Sequence, residues 1–310
     1  MSKKEEPIFY GGQAVMEGVL MRGKKAYAMA VRKPDGDIKM IERPIKQTNK
    51  KFSIFKLPIF RGIAAFGRSI YMGYSALAES AEIAFEGIEE PKSKFEIYLT
   101  KKFGDKLNNI LMAFSMVIAI AFSLGLFMLL PTFLSGVLGL ADGPFGGVFE
   151  GLLRITLFVA YVFIVSFSKD VRRVFEYHGA EHKAINCHEN GLPLTVENIT
   201  ACSKLHKRCG TSFMLIVMVL TMLFFMILRI DDMWLRLGSR ILVLPVIAGL
   251  AYEISVRWAG KRDNLIVRAI IFPGMCLQKI TTAEPDEEQI EIALSALNAV
   301  LAQEEENDKA

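Results

Sequence analysis

Long apolar runs separated by charged segments dominate the pattern of hydrophobic and polar positions along the chain. Residues 110–141 carry no charged side chain, and residues 151–168 carry a single arginine close to one end. A third run, 211–228, is uncharged, and a fourth, 241–256, is interrupted only by Glu253. A helix needs about 20 apolar residues to cross the hydrocarbon core of a bilayer. The pattern therefore predicts four transmembrane helices.

Basic residues flank these runs unequally. The segment between the second and third runs is rich in Lys and Arg, whereas residues 135–147 contain neither. Lys and Arg concentrate on the cytoplasmic side of membrane proteins. Four crossings with both termini and the central segment inside satisfy this rule. The sequence thus predicts a multi-pass protein of the cell's inner or plasma membrane, with cytoplasmic N- and C-termini.

The segments outside the apolar runs predict smaller elements. Residues 27–32 and 37–43 are strand-like on either side of the turn sequence Pro34-Asp35-Gly36, which is typical of a β-hairpin. The fold class expected is a mainly α, polytopic membrane protein with amphipathic cytoplasmic helices and a small N-terminal β element. The predicted domains are an N-terminal cytoplasmic element with the hairpin (1–53), an amphipathic helical segment (54–106), a four-span region (107–262) with a cytoplasmic His/Cys loop (169–211), and an interfacial segment followed by a C-terminal amphipathic helix (263–310).

Composition adds a candidate chemistry. All four histidines and three of the four cysteines lie within residues 178–209. Imidazole and thiolate are the preferred ligands of zinc and other first-row transition metals, and thiols in a reducing compartment rarely form disulfides. We therefore expect a divalent transition metal, zinc first among them. The residues concerned are His178, His182, Cys187, His188, Cys202, His206 and Cys209.

The most specific motif in this window is His178-Gly179-Ala180-Glu181-His182. Two histidines four residues apart lie on one face of a helix, so both imidazoles can reach one ion. The order matches the H-x-x-E-H pattern of inverted zinc metallopeptidases, in which the glutamate is the general base. The motif predicts His178 and His182 as metal ligands and Glu181 as the catalytic residue.

The third metal ligand is left open by the sequence. Glu253 is attractive because an acidic residue inside a membrane span is costly and usually functional. His206 or Cys209 could serve instead. A different hypothesis makes the same window a structural zinc site with four protein ligands, which folds a segment and does no chemistry. That set would be Cys187, Cys202, His206 and Cys209.

Three further residues are candidates for lining the site. Glu17 and Arg22 lie in the glycine-rich segment Gly11–Gly23, whose glycines predict a backbone that bends tightly or approaches another group closely. His188 neighbours the histidine motif. None of the three is assigned a reaction step.

Five stretches of the chain together resemble the YqhQ-like family of bacterial membrane proteins. They are Gly11–Val19, Tyr177–Lys183, Arg208–Thr211, Tyr252–Glu253 and Pro273–Pro285. The resemblance extends over nearly the whole chain and implies a membrane location and a single family-wide domain. The family is of unknown function and is commonly labelled a predicted metal-dependent enzyme, a label that rests on the same histidine block. It supplies no substrate.

These features lead to a first hypothesis of a membrane-embedded metal-dependent hydrolase, such as a peptidase, acting at the cytoplasmic face on a protein or peptide. An alternative is a non-enzymatic membrane scaffold or assembly factor with a zinc-stapled segment. A third is an oligomeric transporter or channel lined by Glu253 and Arg154. The bilayer is the expected partner, an oligomer is compatible with each hypothesis, and the net charge of +4 requires no nucleic acid.

Overall fold

The structure is a computed structural model that describes residues 10–45, 57–87, 103–104, 107–140, 145–228, 232–259 and 264–309. Parts of the predicted segments 54–106 and 135–147 lie outside these ranges. Within them the protein is mainly α-helical, as predicted. The helices are α1 (Phe60–Ala84), α2 (Leu107–Leu124), α3 (Leu130–Val137), α4 (Gly146–Val165), α5 (Lys169–Glu189), α6 (Val196–Ala201), α7 (Gly210–Ile227), α8 (Met233–Tyr252), α9 (Leu265–Thr281) and α10 (Glu287–Lys309).

Four helical stretches of the described residues are long and apolar enough to cross a membrane, which confirms the four predicted spans. Short π-helical segments, Gly125–Leu129 and Glu253–Trp258, follow α2 and α8. The first π segment joins α2 to α3 inside one continuous span. The spans are Ala113–Val137, Gly146–Val165, Gly210–Ile227 and Gly238–Ser255.

A small antiparallel sheet forms the N-terminal β element. Its strands are β1 (Gly11–Val15), β2 (Gly18–Arg22), β3 (Ala26–Arg32) and β4 (Ile38–Pro44), in the order β1-β2-β3-β4. The predicted hairpin is confirmed as β3–β4, with Gly36 at φ +90° in its turn. The glycine-rich segment forms a second hairpin, β1–β2, in which Gly12 is opposite Met21.

The chain divides into two compact units. One consists of Met1–Glu86, Tyr161–Val217 and Pro245–Ala310, and the other of Gly87–Ala160 and Met218–Leu244. The first unit contains the sheet and the whole histidine-rich segment. The second contains α2 and α3 together with parts of the other three spans.

In the first unit the sheet buries both of its faces. Val19 and Met21 of β2 pack with residues of α5, α6 and α10, whereas Leu20, between them, packs against α1. Successive side chains of a strand point to opposite faces, so a strand covered on both sides reads as a continuous apolar run. This explains why Val19, Leu20 and Met21 are apolar in succession without alternation.

The helix of the second span stops before the histidine motif. Helix α4 ends at Val165, and α5 begins at Lys169 after Ser168, whose backbone is extended (φ −66°, ψ 134°). Because of this break, α5 follows a path of its own into the core of the first unit. Its buried residues include Tyr177, Ala180 and Ala184.

The predicted C-terminal elements correspond to α9 and α10. Helix α9 begins at the N-cap Asn264, whose side chain accepts a hydrogen bond from the Val267 N–H, and it continues through Pro273. Its first half leaves Leu265 and Phe272 exposed, an arrangement typical of a helix at a lipid interface. Its second half is buried and reaches the histidine-rich segment.

Candidate metal centre

Helix α5 presents His178 and His182 from adjacent turns. The helix is held by the packing of its apolar face, including Tyr177 and Ile185, against the sheet and α10. The two imidazole centroids are 4.4 Å apart. His182 is almost fully buried, and His178 is partly buried. The helix therefore delivers two nitrogen ligands to one place, as the spacing in the motif predicts.

Cys209 comes to the same place from the segment that precedes α7. That segment is anchored by Gln278 of α9, whose amide oxygen accepts the backbone N–H of His206 at 2.9 Å and whose amide nitrogen donates to the His206 carbonyl at 2.9 Å. The same nitrogen also donates to Ser212 Oγ at 2.8 Å. These bonds bracket Cys209 on both sides along the chain and fix its position.

The three ligand atoms form a compact group. Sγ of Cys209 and one ring nitrogen from each of His178 and His182 lie within 4.8 Å of one another, and Sγ is 3.3 Å from His178 Nε2. Sulfur and nitrogen ligands of a tetrahedral zinc ion are about 3.5 Å apart. Across the described ranges, this is the one group of three or more His, Cys, Asp or Glu residues with ligand atoms so close.

Backbone carbonyls orient both imidazoles. His178 Nδ1 is 2.8 Å from the Thr281 carbonyl oxygen, and His182 Nδ1 is 2.6 Å from that of Lys204. A carbonyl oxygen can only accept, so each Nδ1 carries the proton and each Nε2 keeps a free lone pair. Metal-binding histidines in proteins typically donate their other ring N–H in this way. The tautomers present are those that a metal requires.

Glu181 lies next to this group and outside it. Its side chain is 4% exposed and packs against Gly12 of β1, where an added Cβ would be 2.9 Å from its Cγ. Burial raises the pKa of Glu181 to about 7, although the nearby His178 and the backbone N–H of Gly12 act in the opposite direction. A carboxyl group with such a pKa can accept and release a proton near neutral pH.

Burial also changes the pKa of His182. It lowers the pKa of this imidazole below its ordinary value, and the hydrogen bonds with Cys209 and with the Lys204 carbonyl only partly oppose the shift. The neutral form is therefore favoured. Neutral imidazole is the form that coordinates a metal ion.

Glu253 and His206 are placed elsewhere. The carboxylate of Glu253 forms a bidentate ion pair with Arg61 of α1, with Arg61 Nε 2.6 Å from Oε1. His206 Nε2 is 3.3 Å from Oε2 of Glu189, and its ring centroid is 5.7 Å from that of His182. Neither residue contributes an atom to the three-ligand group, whereas Cys209 does.

Cys187 and Cys202 form a pair of their own. Their thiols are within hydrogen-bonding reach, and burial followed by the neighbouring thiol raises the pKa of Cys187 to about 11. Cys187 also donates to the Pro193 carbonyl oxygen at 3.6 Å. In the part of the chain that the structure describes, the proposed Cys₃His set is not gathered into one group.

Among the described residues, none of the three site-lining candidates belongs to the three-ligand group. Glu17, at φ 47°, pairs with Arg173 and accepts from the Tyr177 hydroxyl at 3.2 Å. The ring of His188 meets that of Tyr10 edge-on at 5.0 Å. Arg22 is half-buried on β2, where burial and then the charge of Arg68 lower its pKa.

Several contributors to the centre carry no signal in the sequence. The carbonyls of Lys204 and Thr281 and the N–H of Gly12 act through the backbone, so residue type does not reveal them. Thr211, whose Oγ1 is 3.1 Å from Cys209 Sγ, is an ordinary residue at the start of α7. Three of the stretches that carry the family resemblance, Gly11–Val19, Arg208–Thr211 and Pro273–Pro285, include Gly12, Thr211 and Thr281, whereas Lys204 lies outside all of them.

Comparison with known proteins places the chain among proteins without an assigned activity. A family model described as "Protein of unknown function (DUF1385)" matches residues 57–303. The "Uncharacterized protein YqhQ" of Bacillus subtilis (strain 168) is 35% identical over 325 aligned positions, which cover 100% of this chain and 98% of that protein. No solved structure matches. Neither description names a metal or a reaction.

Proposed function

This chain belongs to the DUF1385 family, and from that premise we propose that it is a membrane-bound metal-dependent hydrolase. The observation that carries the proposal is the three-ligand group of His178, His182 and Cys209, with both imidazoles oriented by carbonyls. Zinc fits this donor set of two nitrogens and one sulfur. Catalytic zinc sites have three protein ligands and keep a fourth position for water or substrate, whereas structural sites are closed by four.

In the proposed reaction, the metal ligands and Glu181 have different roles. When bound, a zinc ion supplies Lewis acidity that lowers the pKa of water at the site. Glu181 accepts the proton of the attacking water, since its buried carboxyl group titrates near neutrality and lies beside His178. The Gly12 N–H holds that carboxyl group in place. The resulting reaction class is hydrolysis, and a peptide bond is the substrate that the motif favours.

We propose further that the centre acts at the cytoplasmic face of the cell membrane. The Lys- and Arg-rich segment that contains the centre supports this orientation, because basic residues concentrate on the cytoplasmic side. Both termini would then also be cytoplasmic. A peptide substrate would reach the centre from the cytoplasm or from the adjacent membrane interface.

Metal content tests the ligand set. Full-length protein purified in detergent should contain about one equivalent of zinc by mass spectrometry, and Cys209→Ser and His178→Ala should each lower the content severalfold. Cys202→Ser removes a thiol from the same segment without touching the ligand group and is the matched control. Loss of metal in both Cys202→Ser and Cys209→Ser, with retention in His178→Ala, would instead support the structural staple.

Turnover tests the role of Glu181. Glu181→Gln keeps the shape of the side chain and should retain zinc while abolishing hydrolysis of a fluorogenic peptide library by the reconstituted protein. A loss of about 100-fold or more is expected for removal of a general base. Hydrolysis at the wild-type rate by a zinc-loaded Glu181→Gln variant would rule out this assignment.

A further inference from the structure

Three spans of the second unit share a cluster of charged side chains. Glu150 and Arg154 lie one turn apart on α4, and Arg154 Nη2 is 3.1 Å from Glu150 Oε1. Arg240 of α8 donates from Nη2 to Glu150 Oε2 at 2.7 Å and from Nη1 to Thr132 Oγ1 at 2.6 Å. All four side chains are buried or nearly so. The exposed fractions are 5% for Glu150, 7% for Arg240 and 12% for Arg154.

The charges in this cluster do not balance. Among the described residues, two guanidinium groups surround one carboxylate, which leaves a net charge of +1 inside a membrane span. An uncompensated charge is costly in a medium of low dielectric constant. Nε of Arg240 is also buried without a hydrogen-bond partner among the described residues, although buried donors in proteins are nearly always paired. Both facts indicate that an anionic acceptor completes the cluster.

The position of the cluster along the spans points to the source of that anion. Arg154 is the ninth residue of α4 and Arg240 the eighth of α8, so both lie about 12 Å or less from the start of their helices at 1.5 Å per residue. Long arginine side chains reach the headgroup region from such depths. Thr132 lies near the C-terminal end of the first span, Ala113–Val137. This is the end that meets the N-terminal halves of α4 and α8, from which Arg154 and Arg240 come.

We propose that Arg154 and Arg240 form a binding site for the phosphate of an anionic phospholipid headgroup. Guanidinium groups match phosphate oxygens in geometry and charge, and basic pockets between transmembrane helices bind anionic headgroups in other membrane proteins. Glu150 limits the positive charge of the cluster and competes with the phosphate for the two guanidinium groups. The site is independent of the metal centre and of the hydrolase proposal.

Native mass spectrometry of the full-length protein in nonionic detergent tests the site. The probes are phosphatidylglycerol, diacylglycerol, which lacks the phosphate, and inorganic phosphate. Wild type should retain one phosphatidylglycerol molecule and no diacylglycerol. Arg154→Gln and Arg240→Gln should each weaken retention by about tenfold or more, as expected for loss of a charge-assisted hydrogen bond. Glu150→Gln should retain the lipid at least as tightly, because it removes the competing carboxylate.

Two controls keep the result interpretable. Arg172→Gln makes the same change of charge at an exposed arginine of α5 (70% exposed) and should leave lipid retention unchanged. Arg154→Lys keeps the charge if Arg154→Gln fails to fold, and should retain the lipid with intermediate affinity. Equal retention by wild type and both Gln variants, or weakened retention in Glu150→Gln, would overturn the proposal. If the protein binds inorganic phosphate in an arginine-dependent way but does not bind the lipid, the proposal that a lipid headgroup supplies the phosphate would be wrong.

Discussion

Single buried side chains fix the positions of the candidate metal ligands. Gln278 is fully buried and satisfies both backbone groups of His206, which sits three residues before Cys209. Glu181 is buried between α5 and β1 and depends on the N–H of Gly12. These hydrogen bonds hold the candidate centre together. Removing the side chain of Gln278 would leave the backbone groups of His206 buried and unpaired.

Gln278→Ala should therefore destabilise the first unit and loosen the segment that carries Cys209. Leaving the buried N–H and C=O of His206 unpaired costs on the order of 2–3 kcal/mol. We expect a lower Tm and weaker zinc binding in a chelator competition assay. Lys279→Ala, at an exposed position of the same helix, is the control and should change neither. Unchanged zinc affinity in Gln278→Ala would show that the segment is held by other contacts.

Glu189 should make stability depend on pH. Burial would raise the pKa of Glu189, but the hydrogen bond with His206 and the charge of Arg208 outweigh it and lower the pKa. A carboxyl group with a depressed pKa in the folded state stabilises above its unfolded pKa and loses that contribution as pH falls through the folded value. Glu189→Gln should thus lower Tm at pH 7 more than at pH 3.5. A difference in Tm that is the same at both pH values would contradict this.

At the scale of secondary-structure elements, α5 contacts the segment after α9 through its backbone. Gly179 lies on the side of α5 that contacts the extended segment after α9. In that contact the Ala283 N–H donates to the Phe175 carbonyl at 2.9 Å. A Cβ at Gly179 would clash with the Ala283 carbonyl oxygen. Thr281, the last residue of α9 just before this segment, supplies the carbonyl that orients His178. The orientation of His178 therefore depends on how closely α5 packs against this part of the chain.

Gly179→Ala should separate the two elements and disturb the orientation of His178. Forcing atoms into a packed contact costs about 1–3 kcal/mol, and we expect zinc content to fall together with Tm. Gly210→Ala is the matched control, since an added Cβ there meets nothing within 4 Å although the residue adjoins Cys209. Full zinc content in Gly179→Ala would mean that the His178–Thr281 contact is dispensable.

In the molecule as a whole, the stretches of the two compact units alternate along the chain. The first unit gathers three separated stretches of the chain, and the metal centre draws on residues from β1, α5, the start of α7 and the end of α9. The second unit contains the charged cluster of Glu150, Arg154 and Arg240. The orientation of the whole chain in the membrane follows from the proposed cytoplasmic position of the centre.

Cysteine labelling in intact cells tests that orientation. Leu140→Cys, at an exposed position after the first span, should react with a membrane-impermeant maleimide in intact cells. Asp35→Cys, in the β3–β4 turn, should react only after the membrane is permeabilised. Both side chains are exposed in the structure, so accessibility within the fold does not limit the reaction. The opposite pattern of labelling would place the metal centre outside the cell.

The sequence by itself determined the four spans and the β3–β4 hairpin, because hydrophobic periodicity and turn chemistry are local properties. It also singled out the histidine-rich window, although the loop predicted over 169–211 contains α5 and α6 in the structure. Only the tertiary structure decided which third residue meets the two histidines. The cost of an acidic residue in a span favoured Glu253 but left His206 and Cys209 open. In the structure α1 supplies Arg61 as the partner of Glu253, and the buried anchor Gln278 holds the segment that brings Cys209 to the histidines. Contacts between residues so far apart in the chain depend on how the elements pack, and no local pattern encodes that.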